Sequence, residues 1–193
     1  MLVRIGADFN AIGVRLRSGF SLIELMVALC IAAILLMVGV PGYQALIHNQ
    51  RLNTSVNGFV GALHMARSEA IRRGTRVDLV PLDGKDWSHG WMAFVDENGN
   101  QQADAGEMVI LRQDVVPHGM AIKSVLTDSS KPYLAYNGSG RTRTNASSET
   151  PQLGTVSFML GEEVRRIKLN FSGRARVCNP EKDKTCTGTD DAD

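Results

Sequence analysis

Hydrophobic residues first form one long, almost uninterrupted run. From Phe20 to Val40 the sequence reads FSLIELMVALCIAAILLMVGV. As a helix this run would be about 31 Å long, which is enough to cross a bilayer. An ordinary secretory signal is the alternative, but it needs a cleavage site of small residues after the run. Here the run ends in VGVPGYQ and a helical pattern continues, so a transmembrane helix is predicted.

The residues before the run are basic. Arg4, Arg15 and Arg17 are opposed only by Asp8. Because positive flanks stay in the cytoplasm, this excess predicts that residues 1–19 remain there and that the chain after the helix is exported.

A second helical pattern follows Pro41, which removes one helical hydrogen bond and so interrupts the helix. We predict one long helix over about 20–73, interrupted near Pro41, with Gly74 as its C-cap. Its second half is amphipathic and is expected to pack its apolar stripe against a sheet. The stripe consists of Leu52, Val56, Phe59, Val60, Leu63 and Ile71.

Beyond Gly74, short β-prone runs alternate with turn residues. The last two runs are joined by Gly-Glu-Glu and predict a hairpin. Alternation places Val156, Phe158 and Leu160, and on the partner strand Ile167, Leu169 and Phe171, toward the core. The predicted fold class is therefore α+β, a long N-terminal helix with a transmembrane half and an amphipathic half packed on an antiparallel β-sheet. The predicted strands are 75–81, 90–96, 108–112, 120–126, 132–136, 154–160 and 164–171.

One acidic residue interrupts the apolar run. A carboxylate such as Glu24 costs about 2.5–3.5 kcal/mol inside a membrane helix, unless it lies close to the headgroups. The segment Gly19-Phe20-Ser21-Leu22-Ile23-Glu24-Leu25 resembles the type IV prepilin signature. That resemblance implies cleavage after Gly19 by a prepilin peptidase, N-methylation of Phe20, and docking of Glu24 against the terminal amine of a neighbouring subunit.

The order of elements carries a second resemblance. A helix followed by strands, with the segment GWMAFVDENGN at 90–100, is similar to the GspH/FimT group of minor pilins and pseudopilins. This resemblance implies a type IV pilin-like fold and an inner-membrane, single-pass precursor whose C-terminal domain is periplasmic. It also implies other pilins as partners in a pilus that can be exposed at the cell surface. The domains expected are a leader (1–19), a transmembrane and assembly helix (20–47), a globular domain (48–171) and a tail (172–193).

The overall composition does not indicate a function, and the cysteines indicate only the cellular compartment. The chain has 21 Lys and Arg against 20 Asp and Glu, so only local clusters of charge can indicate nucleic-acid binding. Cys178 and Cys186 lie close together in the polar tail, which suggests a disulfide and an oxidising compartment. The four histidines are scattered, and no nucleophile elbow, phosphate loop or zinc spacing is found. No enzymatic activity and no cofactor are expected.

Two segments read G-R-x-R, at 140–143 and 173–176. If the chain stays extended beyond the last predicted strand, Arg166, Lys168, Arg174 and Arg176 project from one face as a cationic stripe. Planar guanidiniums suit phosphate oxygens, and Gly173 would let the backbone approach a ligand. The alternative is a solvated face, on which Glu162 and Glu163 neutralise Arg165 and Arg166.

The family resemblance assigns a role to the second motif. The FimT-like branch is associated with DNA uptake in natural transformation, or competence, and its C-terminal G-R-x-R is the DNA-contacting element. This implies that Arg174 and Arg176 bind DNA. Arg141 and Arg143 match the motif by letters, but they lie in a Ser/Thr-rich loop for which the resemblance gives no role.

The predicted mode of DNA binding is electrostatic. No aromatic residue is interleaved with the arginines, so base stacking is not predicted. Two to four phosphate contacts predict non-specific binding, with a slope of log K against log salt of roughly −2 to −4. The other function left open is a structural minor pilin or a type II secretion pseudopilin without DNA binding.

An acidic loop has the spacing of a calcium site. The loop differs from an EF-hand loop in two ways. Its sixth position is Gln101 instead of glycine, and a predicted strand instead of a helix precedes the loop. A hairpin turn rich in Asp, Asn and Gly is the interpretation we favour, and no metal is expected. The oxygen donors at EF-hand spacing are Asp96, Asn98, Asn100, Gln102, Asp104 and Glu107.

Overall fold

A computed structural model describes residues 19–114 and 116–188 of the 193-residue chain. The predicted leader, with Arg4, Asp8, Arg15 and Arg17, therefore lies outside the described residues, except for Gly19. The chain forms two compact units, one ending at Tyr43 and the other beginning at Gln44.

The N-terminal helix, α1, extends over Leu22–Arg73. Ser21 is its N-cap, because its hydroxyl accepts a 3.2 Å hydrogen bond from the Glu24 N–H. A break near Pro41 separates the stretches Leu22–Met37 and Gly42–Arg73. Within the described residues, no single helix is long and apolar enough to cross a membrane; by length and composition, these two stretches could do so only as a bent pair.

Nine strands in the described residues form two antiparallel sheets. The first sheet has the order β3-β2-β1-β5-β6, and the second has the order β4-β7-β8-β9. Both sheets contribute side chains to one core with the second half of α1, which confirms the predicted α+β class. A short 3₁₀ helix covers Trp87–His89. The strands are β1 (Val77–Pro81), β2 (Trp91–Val95), β3 (Val109–Gln113), β4 (Met120–Leu126), β5 (Leu134–Tyr136), β6 (Thr142–Arg143), β7 (Gly154–Leu160), β8 (Glu163–Leu169) and β9 (Ala175–Cys178).

The amphipathic half of α1 buries most of the predicted stripe. Leu52, Val56 and Leu63 are almost completely buried, whereas Ile71 is 51% exposed. Phe59 lies at the centre of the core. Its ring makes edge contacts with the rings of Trp87, Trp91 and Phe158, with centroids 5.0–5.4 Å apart.

The predicted hairpin of the last two strands forms, but the chain does not stay extended after it. Strand β8 ends at Leu169, and β9 folds back to pair with it. Ile167 and Leu169 face the core as predicted. The prediction for Phe171 is wrong, because this residue lies in the reversing turn and is 62% exposed.

Candidate nucleic-acid interface

The two G-R-x-R segments belong to a longer repeat, N-x-S-G-R-x-R, which occurs at 137–143 and 170–176. We call these segments the first and second arginine loops. The first connects β5 to β6, and the second connects β8 to β9. Each therefore reverses the chain between two antiparallel strands, one loop in each sheet.

The backbone hydrogen bonds of the two loops correspond one to one. In the first loop, the backbone N–H of Asn137 donates to the Arg141 carbonyl at 3.0 Å. In the second, Asn170 donates to the Arg174 carbonyl at 3.2 Å. In both loops the glycine N–H donates back to the asparagine carbonyl, at 2.8 and 3.0 Å.

The asparagine side chain fixes each turn. Oδ1 of Asn137 accepts from the Arg141 N–H at 3.1 Å, and Oδ1 of Asn170 accepts from the Arg174 N–H at 2.9 Å. The serine hydroxyl of each loop donates to the same oxygen, at 2.7 and 2.8 Å. Such Asx bonds favour turns over extended chain, which is why the predicted stripe does not form.

The two loops pack against each other and against α1. A Cβ added to Gly173 would lie 2.4 Å from the Gly140 carbonyl oxygen, and φ at the two glycines is +79° and +75°. Arg67 of α1 donates to the Gly173 carbonyl at 3.3 Å. Gly173 was expected to let the backbone approach a ligand, but its observed role is to bring the two loops together.

The predicted stripe of four cations is replaced by a different arrangement. Arg166 is 2% exposed and donates to the Cys186 carbonyl at 2.6 Å. Lys168 donates to the Thr185 carbonyl at 3.0 Å. The C-terminal tail thus covers these two side chains on the outer face of β8.

Arg176 lies opposite Lys168 in the register of β8 and β9. Its side chain is 51% exposed and donates to Asp183 at 3.1 Å. Arg174 lies just before β9, so the four cations do not follow one another along one extended strand as predicted. Of the alternative pairs, Arg165 does bind Glu163, at 3.1 Å.

The predicted disulfide between Cys178 and Cys186 is present. It joins the end of β9 to the tail, and Cys186 is completely buried. The bond therefore holds the segment that carries Asp183 close to Arg176.

Two arginines of the arginine loops have guanidiniums that are open to solvent. Arg141 and Arg174 are exposed, and within the described part of the chain neither guanidinium makes a hydrogen bond. Arg143 instead points inward and donates to the carbonyls of Thr144 and Asn145, at 3.0 and 3.3 Å. Burial, together with nearby Arg76, lowers the pKa of Arg143. We call Arg141, Arg174 and Arg176 the exposed arginines.

A buried charged cluster lies below the first loop and was not predicted. Arg76 binds Asp78 through two hydrogen bonds of 2.6 and 2.5 Å and also contacts Asp96 at 3.2 Å. Its remaining nitrogen donates to Asn145, which follows β6. Burial raises the pKa of Asp78 to about 7, in spite of its bonds to Arg76. The only signal in the sequence was an aspartate within the apolar run VDLVP.

The acidic loop between β2 and β3 is held by its own hydrogen bonds. Asp96 accepts from the N–H groups of Gly99 and Gln101, at 2.7 and 3.1 Å. Asp104 accepts from the side chains of Asn98 and Asn100, at 2.8 and 2.6 Å. Glu107 accepts from the N–H groups of Glu97 and Asp104, and Gln102 donates its own N–H to Asn100. Among the described residues, no three acidic, histidine or cysteine side chains are grouped as a metal site.

Comparison with known families identifies the chain. The family described as type II transport protein GspH matches residues 55–173, which cover the last part of α1, strands β1 to β8 and the second loop as far as Gly173. The chain belongs to the GspH family. The prokaryotic N-terminal methylation motif matches residues 14–40 of this GspH-family protein. No curated protein sequence matches it.

Two crystal forms of one minor pilin share the fold. The type IV minor pilin FimU of Pseudomonas aeruginosa is 17% identical to the GspH-family chain, with a TM-score of 0.55 over 69% of this chain and 92% of FimU. A second crystal form of FimU gives 17% identity and a TM-score of 0.51 over 67% and 94%. The minor pseudopilin EpsH of the Vibrio cholerae type 2 secretion system is 16% identical, with a TM-score of 0.49 over 67% and 98%.

Proposed function

We propose that this protein is a minor pilin that binds DNA non-specifically through its exposed arginines during DNA uptake. In this account prepilin peptidase cleaves after Gly19 and Phe20 becomes the methylated terminus. Glu24, which is exposed, docks against the terminal amine of a neighbouring pilin. The precursor is anchored in the inner membrane by its apolar N-terminal stretch, and its globular domain is periplasmic. The methylation-motif match and the family membership support this part.

One observation supports DNA binding above the others. Two loops with the same N-x-S-G-R-x-R pattern and the same turn hydrogen bonds lie in contact, and the first arginine of each has an open guanidinium. Arg141 and Arg174 therefore offer two cations on adjoining loops, each carried by a turn whose backbone is held by hydrogen bonds. Guanidiniums bind phosphate oxygens through two parallel hydrogen bonds. Arg176 contributes less, because Asp183 already neutralises part of its charge.

A structural subunit without DNA binding is the second candidate. The observation that favours it is that the tail holds Arg166, Lys168 and Arg176, so part of the predicted cationic face already has protein partners. Deletion of the gene distinguishes the two candidate functions. Lost pili would support the structural role, in pilus assembly or a secretion pseudopilus. Normal pili with lost transformation would support DNA capture.

The direct test is DNA binding by the full chain in neutral detergent micelles. Arg141→Ala/Arg174→Ala is expected to weaken binding of duplex DNA by about one to two orders of magnitude, because two phosphate contacts are removed. Fluorescence anisotropy with a labelled duplex measures the change.

The matched control is Arg72→Ala/Arg112→Ala, which removes the same charge from side chains that are 63% and 60% exposed elsewhere on the protein. This pair should bind DNA almost as the parent chain does. Equal loss of binding in both double variants would assign the effect to net charge and contradict a site at the two loops.

A further inference from the structure

Phe171 is placed where neither the core nor the turn requires it. It is the second residue of the second arginine loop and is 62% exposed. The turn itself is held by Asn170, by the Ser172 hydroxyl and by Gly173. An exposed phenyl ring therefore stands three residues before the open guanidinium of Arg174.

The first loop shows that the turn does not need an aromatic residue at this position. The residue equivalent to Phe171 there is Gly138, and a Cβ added to it would lie 2.5 Å from the backbone of Gly74. The first loop thus uses this position to pack against the end of α1. The second loop uses it to present a ring to solvent.

The ring of Phe171 shares a surface cleft with the arginine of the other loop. The cleft has a volume of about 180 Å³ and is lined by Phe171, Arg141, Ser139, Ser148 and Glu149. Asn137, Thr142 and Pro151 complete the lining. It joins an aromatic face, a guanidinium and several hydroxyl and amide groups, which are the groups that bind an unpaired base.

The charge of the cleft favours a base over a phosphate inside it. The carboxylate of Glu149 lies in the same lining as Arg141, so a phosphate inside the cleft would meet a negative charge, whereas a neutral base would not. Arg174 and Arg176 lie on the same loop as Phe171 but outside this lining, and both are exposed, so they remain available to phosphates next to the base.

We infer that Phe171 is a stacking platform for an unpaired base, and that the two arginine loops bind single-stranded nucleic acid in preference to duplex. This inference rests on the proposed DNA-binding function and names its ligand class. Stacking of one base on an aromatic side chain corresponds to about 5- to 100-fold in affinity. In a duplex the bases are already stacked, so the ring gains nothing without unstacking a base step. This inference differs from the expectation from sequence, which did not predict base stacking.

The experiment measures binding of the full chain in neutral detergent micelles to three probes of one length. The probes are mixed-sequence single-stranded DNA, an abasic single strand with the same phosphodiester backbone, and duplex DNA. The parent chain is expected to bind the single strand most tightly. Phe171→Ala should weaken binding of the single strand by about 5- to 100-fold and leave the abasic strand and the duplex nearly unchanged. Phe171→Trp should retain the preference.

Met108→Ala is the control, since Met108 is an exposed apolar side chain that is not part of either loop. Equal binding of all three probes, with Phe171→Ala without effect, would overturn stacking and leave phosphate binding intact. A parallel loss for all three probes in Phe171→Ala would also overturn it, because the ring would then only support the loop. If the parent chain bound none of the probes, the proposed function would fail, and with it this inference.

Discussion

Replacing Phe59 with alanine is expected to lower the free energy of unfolding by about 3–5 kcal/mol. The ring is completely buried and contacts Trp87, Trp91 and Phe158 in edge geometry. These three side chains come from the 3₁₀ helix, from β2 and from β7, so the substitution opens a cavity where α1 meets both sheets.

Denaturant unfolding, monitored by tryptophan fluorescence, measures this effect. Met65→Ala on the same helix is the control, because Met65 is 49% exposed and its removal leaves no cavity. A loss below about 1 kcal/mol for Phe59→Ala would mean that α1 does not pack on the sheets in the way described.

Replacing Arg76 with alanine is expected to cost about 3–5 kcal/mol at pH 8. Asp78 and Asp96 share this one guanidinium, and Asp78 is completely buried. Without Arg76, the two carboxylates would lose the cation that contacts both of them, and a buried charge without a direct partner is the costly case.

The loss of stability caused by Arg76→Ala should depend on pH, because Asp78 titrates in the affected cluster. The pKa of Asp78 is raised in the folded state to about 7 from an ordinary value of 3.8. Between these two values the folded chain holds more protons than the unfolded chain, so this group makes stability fall as pH rises. Loss of Arg76 raises the folded pKa further, and the deficit of the variant should therefore be smaller at pH 5 than at pH 8.

Urea unfolding at the two pH values, with Arg72→Ala as the exposed control, tests this prediction. The side chain of Arg72 is 63% exposed, and its removal should not make stability depend more strongly on pH. If Arg76→Ala lost more unfolding free energy at pH 5 than at pH 8, the result would contradict the account in which Asp78 and Asp96 share the charge of Arg76.

Periodicity predicted most of the fold. Strands β4 and β7 have the predicted limits, 120–126 and 154–160, because their apolar residues alternate and turns flank them. Strands β6 and β9 were missed, since they have two and four residues and contain arginines instead of a β-prone run.

The candidate site could be predicted only in part. The letters G-R-x-R were visible, and so was the full N-x-S-G-R-x-R repeat, but the turn that its asparagine stabilises was not inferred. The contact between Gly140 and Gly173 depends on how the two sheets meet, which no local pattern encodes. The alternation of side chains assigned Phe171 to the core, but strand β8 ends two residues earlier, at Leu169, so the alternation no longer applies there.

The slope of DNA affinity against salt tests the central claim most directly. The full chain should be titrated with duplex DNA from about 50 to 200 mM salt, alongside Arg141→Ala/Arg174→Ala. Two to three phosphate contacts from the exposed arginines predict a slope of log K against log salt of about −2 to −3, and a slope closer to zero in the double variant. An affinity independent of salt, or the same slope in both proteins, would contradict DNA binding by these loops.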